Sequence, residues 1–143
     1  MTEKEKNEIK KAWLAEYRES MNKTRSLSEE LQRWKDIAER VNQSLNPAPA
    51  GGGGSDKIGR AAVMIADLQR SIEEEICIAE RKRAERIKAI EAVWNTRYRT
   101  VLRMYYISGM SFFKISCILG KSERNIQDIH KKAIKQVKID GQD

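Results

Sequence analysis

The stretch Ser111-Phe-Phe-Lys-Ile-Ser-Cys-Ile-Leu-Gly120-Lys-Ser122-Glu-Arg-Asn-Ile-Gln-Asp-Ile-His-Lys-Lys-Ala-Ile-Lys135 decides how this chain folds. Ser111 can cap a short helix, Phe112 to Leu119, by accepting from its free amides. Gly120 supplies the left-handed residue that ends it. Ser122 then caps a longer helix, Glu123 to about Lys138. A helix, a three-residue turn with Gly and a second helix form the layout of a helix-turn-helix. Just upstream, Asn95-Thr96 can cap a helix from Arg97 to Ser108, which Gly109 stops.

The apolar residues of these segments describe three helices around one small core. They are Val101, Leu102, Met104, Tyr105 and Tyr106, then Phe112, Ile115, Ile118 and Leu119, then Ile126, Ile129, Ala133 and Ile134. So small a unit buries little surface alone and should gain by docking on Trp94 and the helix before it.

Further upstream the periodicity is helical. From about Glu3 the stripe reads Leu14, Tyr17, Met21, Leu27, Leu31, Trp34, Ile37, Val41, Leu45, with a weak middle at residues 22–28 where Ser, Asn and Thr gather. Two prolines and four glycines in Asn46-Pro-Ala-Pro-Ala-Gly-Gly-Gly-Gly-Ser55 should end that helix. The glycine run also has the composition of an engineered linker. Ser55 or Asp56 would cap a second helix with the stripe Ile58, Ala62, Ile65, Leu68, Ile72, Ile76, Ala79, Arg83, Ile87, Ile90, Trp94. Its mean spacing near 3.6 suggests an ordinary straight helix of about 58 Å, against about 64 Å for the first. A ten-residue connector spans at most about 35 Å, so a pairing within one chain must be antiparallel. The run Glu80-Arg-Lys-Arg-Ala-Glu-Arg-Ile-Lys88 reads as a solvated helix face, because acids interleave with its bases. The expectation is an all-α chain: a long antiparallel helical hairpin of coiled-coil type, followed by a small helix-turn-helix domain. The divisions are 1–45, a linker 46–55, a second helix 56–94, a domain 95–138 and a tail 139–143.

Charge is concentrated at one end. The 143 residues carry +7 overall, but residues 97–138 hold ten bases and two acids, a net +8. That is the footprint of a polyanion binder. With Ile126, Ile129 and Ala133 facing inward, the last helix turns Glu123, Arg124, Gln127, Asp128 and Lys131 outward, with Asn125 at the margin. These side chains suit base edges in a major groove. Lys114, Lys121, Lys132 and Lys135 suit phosphates, which give affinity without sequence information.

Other classes find little support. There is no GxxxxGK[ST] or GxGxxG phosphate loop, Cys77 and Cys117 stand forty residues apart, and the only histidine, His130, sits in a polar, lysine-rich helix rather than in a pocket. No enzyme, metal or cofactor is expected. No run approaches the about 18 apolar residues of a membrane span. With no secretory signal, two thiols fit the reducing cytoplasm.

The stretch Arg99–Val137 is similar to region four of bacterial sigma factors. The matching residues are Arg99, Val101-Leu102, Met104, Tyr106, Gly109, Ser111, Ile115, Leu119-Gly120, Ser122, Ile126, Ile129 and Ala133-Ile134. This resemblance implies promoter reading through the last helix by Arg124, Gln127 and Asp128. The whole chain resembles the RinA/ArpU-type regulators of bacteriophages: a helical N-terminal half, a Gly-rich linker, the motif Ser55-Asp56-Lys57-Ile58-Gly59, a long helix, then Tyr98-Arg99. On that resemblance the glycine run is natural, the setting is a bacterial host cell, and the role is activation of late packaging and structural genes. Two departures stand out. Phe112-Phe-Lys-Ile-Ser116 replaces the Trp-x-x-Ile-Ala pattern of that family, with Lys114 in place of the acid that would complete a capping box with Ser111, and Phe113 should project outward where a charged residue is expected.

The leading expectation is therefore a sequence-specific regulator that binds double-stranded DNA. Its long helices would serve as a dimerisation arm or a docking arm for host RNA polymerase. The alternative is a DNA-packaging protein such as a small terminase subunit. Mass in solution separates them: a dimer supports the regulator, and a ring of eight or more copies supports the packaging protein.

Overall fold

A computed structural model describes residues 1–44 and 53–139. The elements are α1 (Glu3–Ser44), α2 (Gly53–Glu91), α3 (Thr96–Leu102), one π-helical turn (Arg103–Ile107), α4 (Phe112–Leu119) and α5 (Glu123–Gln136). The chain is all-α, with α1 packed against α2 ahead of a small helical domain. Leu45, the linker up to position 52 and residues 140–143 of the tail lie outside the described residues. Two compact units share the chain: Ser20–Ile78, and Met1–Glu19 with Ala79–Asp143.

In the first unit one set of shielded positions alternates three and four apart, with Glu30, Ile37, Met64 and Ser71 half-shielded on its flanks. On α1 the set is Ser20, Thr24, Leu27, Leu31, Trp34, Ala38 and Val41; on α2 it is Ile58, Ala61, Ile65, Leu68, Ile72 and Glu75. This spacing averages 3.5 and is the seam of a coiled coil, not the 3.6 of an independent straight helix. The seam departs from the expected stripe at several positions: Ala61 is buried in place of the exposed Ala62, Ala38 shares the shielding of Ile37, and two polar residues displace apolar ones. Met21 and Ile76 are exposed, and their polar neighbours Ser20 and Glu75 take the seam. Glu75 is accommodated by an ion pair, and beside Ser20 it is the Thr24 hydroxyl that is satisfied, on the Ser20 backbone carbonyl. Thr24 Oγ1 donates to Ser20 O at 3.0 Å, and Lys23 Nζ reaches Glu75 Oε1 at 2.9 Å. A hydroxyl satisfied within its own helix need not break it, and α1 runs unbroken through residues 22–28.

The start of α2 also differs from expectation. Gly53 and Gly54 belong to the helix, so Ser55 and Asp56 lie in its first turn instead of capping it. Each glycine costs about 1 kcal/mol in a helix, far less than nucleating a new one, so a long helix can extend into them. Asp56 then meets the positive end of the helix dipole from within.

The second unit holds two apolar clusters. One joins Leu14 of α1, Ile90 at the end of α2 and Val93 in the turn after it to Leu102, Tyr106, Ala133, Ile134 and Val137. The other gathers Val101, Ile115, Ile126 and Ile129, with Met104, Phe112 and Leu119 around them. The apolar set read from sequence is inside, except Ile118. Trp94 does not dock. It is 89% exposed, and Val93 takes the inward place. Arg99 explains the exchange. Its guanidinium donates to Val93 O (2.6 Å), Trp94 O (3.0 Å) and Thr96 Oγ1 (2.9 Å), and so turns the chain after Glu91. Asn95 Oδ1 accepts from the amides of Arg97 and Tyr98 and starts α3 one residue earlier than expected.

The basic run of α2 is not wholly solvated. Arg86 is only 2% exposed: Nε donates to Trp13 O at 2.9 Å, Nη2 pairs with Glu16, and the guanidinium lies 4.1 Å from the centre of the Trp13 ring. Arg83, which the stripe placed inward, is half-buried beside it.

Leu14 is fully buried more than seventy residues from its partners in sequence. Leu14→Ala should cost about 3 kcal/mol in urea unfolding. A loss below about 1 kcal/mol would mean that α1 is not part of this core.

Candidate nucleic-acid interface

The helix-turn-helix is built by its caps. Ser111 Oγ accepts from Lys114 N and Ser122 Oγ from Asn125 N, each at 3.1 Å. Gly120 has φ +65°, and the amides of Gly120 and Lys121 both donate to Ser116 O. Gly109, at φ +72°, closes the turn before α4, where Arg18 Nη2 donates to its carbonyl at 2.7 Å. These bonds set where α4 ends and α5 begins.

On α5, Ile126, Ile129, Ala133 and Ile134 face inward. Glu123, Arg124, Asn125, Gln127, Asp128, Lys131, Lys132 and Lys135 are exposed, as is Lys114 on the first turn of α4; Lys121 in the turn is half-buried. Helical spacing brings Arg124, Gln127 or Asp128, Lys131 and Lys135 onto one face of α5, with Lys132 on its flank. None of Lys114, Lys121, Arg124, Lys131, Lys132 or Lys135 pairs with a carboxylate among the described residues. Two other bases of the cationic stretch are occupied: Arg99 holds the α2–α3 corner, and Arg103 pairs with Glu91. Phe113 projects outward, 64% exposed. The two cysteines are free and exposed, and no metal-ligating cluster occurs among the described residues.

A family model described as "Protein of unknown function (DUF1492)" matches residues 50–138. The chain belongs to the DUF1492 family. The DUF1492 match takes in α2, α3, α4 and α5 but not α1, although Leu14 packs in the same cluster as Ile90, Ile134 and Val137. No curated protein and no solved structure matches the chain.

His130 departs from its sequence reading. It is 8% exposed and faces inward, four residues from both Ile126 and Ile134, a spacing that places it on the apolar side of α5. Its Nε2 and the Tyr106 hydroxyl share a hydrogen bond of 2.7 Å. Burial, and secondarily the Lys11 ammonium, lowers its pKa to about 4, so the ring is neutral at pH 7. Burial pushes the Tyr106 hydroxyl the other way, upward. The unfolded chain takes up this proton near pH 6.5 and the fold only near 4. The stabilisation is therefore complete above about pH 6.5 and is lost as pH falls towards 4, with about 2 kcal/mol gone by pH 5. Urea unfolding at pH 7.5, 6 and 5 should show this slope in the wild type and not in His130→Leu. Parallel pH profiles for the two would contradict it.

Proposed function

We propose that this DUF1492 chain is a binding protein, not an enzyme, and that it binds double-stranded DNA by placing α5 in the major groove. The supporting observation is the outer face of α5. Among the described residues its cations form no ion pairs with carboxylates, and Glu123 and Asp128 are the two acids set among them, so positive charge predominates on this face and would attract phosphates. In this reading Arg124, Gln127, Asp128 and Lys131, with Glu123 and Asn125 beside them, meet base edges. Lys114, Lys121, Lys132 and Lys135 meet the backbone.

The fuller reading is a transcriptional regulator in the bacterial cytoplasm, an activator of phage late genes. It rests on the resemblance to sigma region four and to the RinA/ArpU-type regulators. Dimerisation through the long helices belongs to the same reading, supported by Val63, Ile76 and Ile78, which lie exposed outside the seam. Host RNA polymerase is the protein contact it implies. No helix among the described residues is long and apolar enough to cross a membrane.

Footprinting against phage and host DNA at low and physiological salt tests the DNA reading, and protection of a discrete site is the expected outcome. Arg124→Ala should relax preference at one base pair, at a cost of about 1–3 kcal/mol. Lys132→Ala should weaken every sequence alike and flatten the salt dependence. Equal losses on all sequences from both variants would overturn the division of roles, and no protection at any salt would overturn DNA binding itself.

A further inference from the structure

A cavity of about 330 Å³ opens in the unit formed by Met1–Glu19 and the chain from Ala79, on the inner side of α5. Its volume falls at the small end of the range for ligand pockets, about 300–1,000 Å³. The walls are aromatic. Tyr105 and Phe112 stack at 4.4 Å with their planes 6° apart, and His130 packs edge-on against both, at 5.4 and 5.0 Å. The π-helical turn makes this wall. Its i to i+5 bond, Ser108 N to Arg103 O at 2.9 Å, widens the helix where the adjacent Tyr105 and Tyr106 both line the cavity. Such single π turns concentrate at functional sites.

The charge lining is of one sign. Lys11 and Arg18 line the cavity from α1, and among the described residues no carboxylate lines it. Arg18 is fixed in place, with one nitrogen on Gly109 O at 2.7 Å and its guanidinium carbon 5.1 Å from the centre of the Tyr105 ring. Lys11 reaches Glu8 at 3.2 Å on the exposed surface, an attachment easily exchanged for another anion. His130 is neutral, with its Nε2 held by Tyr106 and no partner for its other ring nitrogen among the described residues. Cations beside a stacked aromatic pair, with a polar imidazole edge-on to it, suit one kind of molecule. We infer that this cavity is a binding site for a small planar aromatic carboxylate of one or two rings, with its carboxylate on Lys11 and Arg18 and its ring packed beside the stacked Tyr105–Phe112 pair.

The inference does not depend on what α5 meets, and it can be tested without DNA. The full chain has one histidine, so a single set of imidazole resonances reports on the cavity. Titration with salicylate, and separately with indole-3-acetate, should shift the His130 ring signals saturably. Phenol, which lacks the carboxylate, should bind at least tenfold more weakly, and inorganic phosphate, which lacks the ring, should not move the signals at physiological salt. Lys11→Met, a change at a partly exposed side chain, should weaken salicylate at least fivefold while leaving urea unfolding unchanged. Phe112→Leu should weaken it too, and Lys11→Met keeps the test decisive if that core variant does not fold. Phenol binding as tightly as salicylate, phosphate shifting His130 as strongly, or no shift from either carboxylate at 10-fold excess over millimolar protein would each overturn the assignment.

Discussion

The structure depends on one act of burial: Leu14 of α1, Ile90 of α2 and Val93 just beyond it close over Leu102, Ala133, Ile134 and Val137. Three short helices expose too much surface for their apolar content to fold well alone. The ends of the two long helices supply the missing side of the core. Arg86 strengthens this junction at a site where an unpaired charge would be costly, because Trp13 O, Glu16 and Glu85 all take its donors. The same first segment of α1 reaches the helix-turn-helix at two backbone points, Arg18 to Gly109 O and Lys10 Nζ to Lys135 O at 3.2 Å. The DUF1492 match begins beyond these residues, so here the segment the family describes is completed by one that its model does not cover.

Much of the fold was legible because it is local. Asn95, Ser111 and Ser122 cap the helices they precede, and Gly109 and Gly120 adopt positive φ where the chain must turn. Each of these needs only a few neighbouring residues. The apolar set of the C-terminal helices was readable for a related reason: helical period alone fixes which side chains share a face. The outward residues of α5 follow from the same geometry.

What escaped reading was decided by partners distant in sequence. Scoring by hydrophobicity selects Met21 and Ile76, whereas the seam takes Ser20 and Glu75, because the partner helix fixes a 3–4 alternation that polar residues can follow when bonded. Trp94 is the most apolar residue at its corner, yet Arg99 turns the carbonyls there and leaves it outside. For His130 the neighbours along the helix face, Ile126 and Ile134, decide its burial, and its polar neighbours along the chain, Asp128, Lys131 and Lys132, do not. The π-helical turn has no sequence signature. With it went the cavity, whose cationic side comes from α1, nearly ninety residues before the aromatic wall.

The polar members of the coiled-coil seam have one further effect. A purely aliphatic antiparallel seam repeats every seven residues, so the two helices could slide by one repeat and bury nearly the same area. With Lys23 bound to Glu75, a slide of one repeat along α2 would set the ammonium against Leu68 and strand the carboxylate. Registers that are nearly degenerate in greasy contact are thus biased by one ion pair, which with its lysine largely exposed favours the observed alignment by less than about 1 kcal/mol.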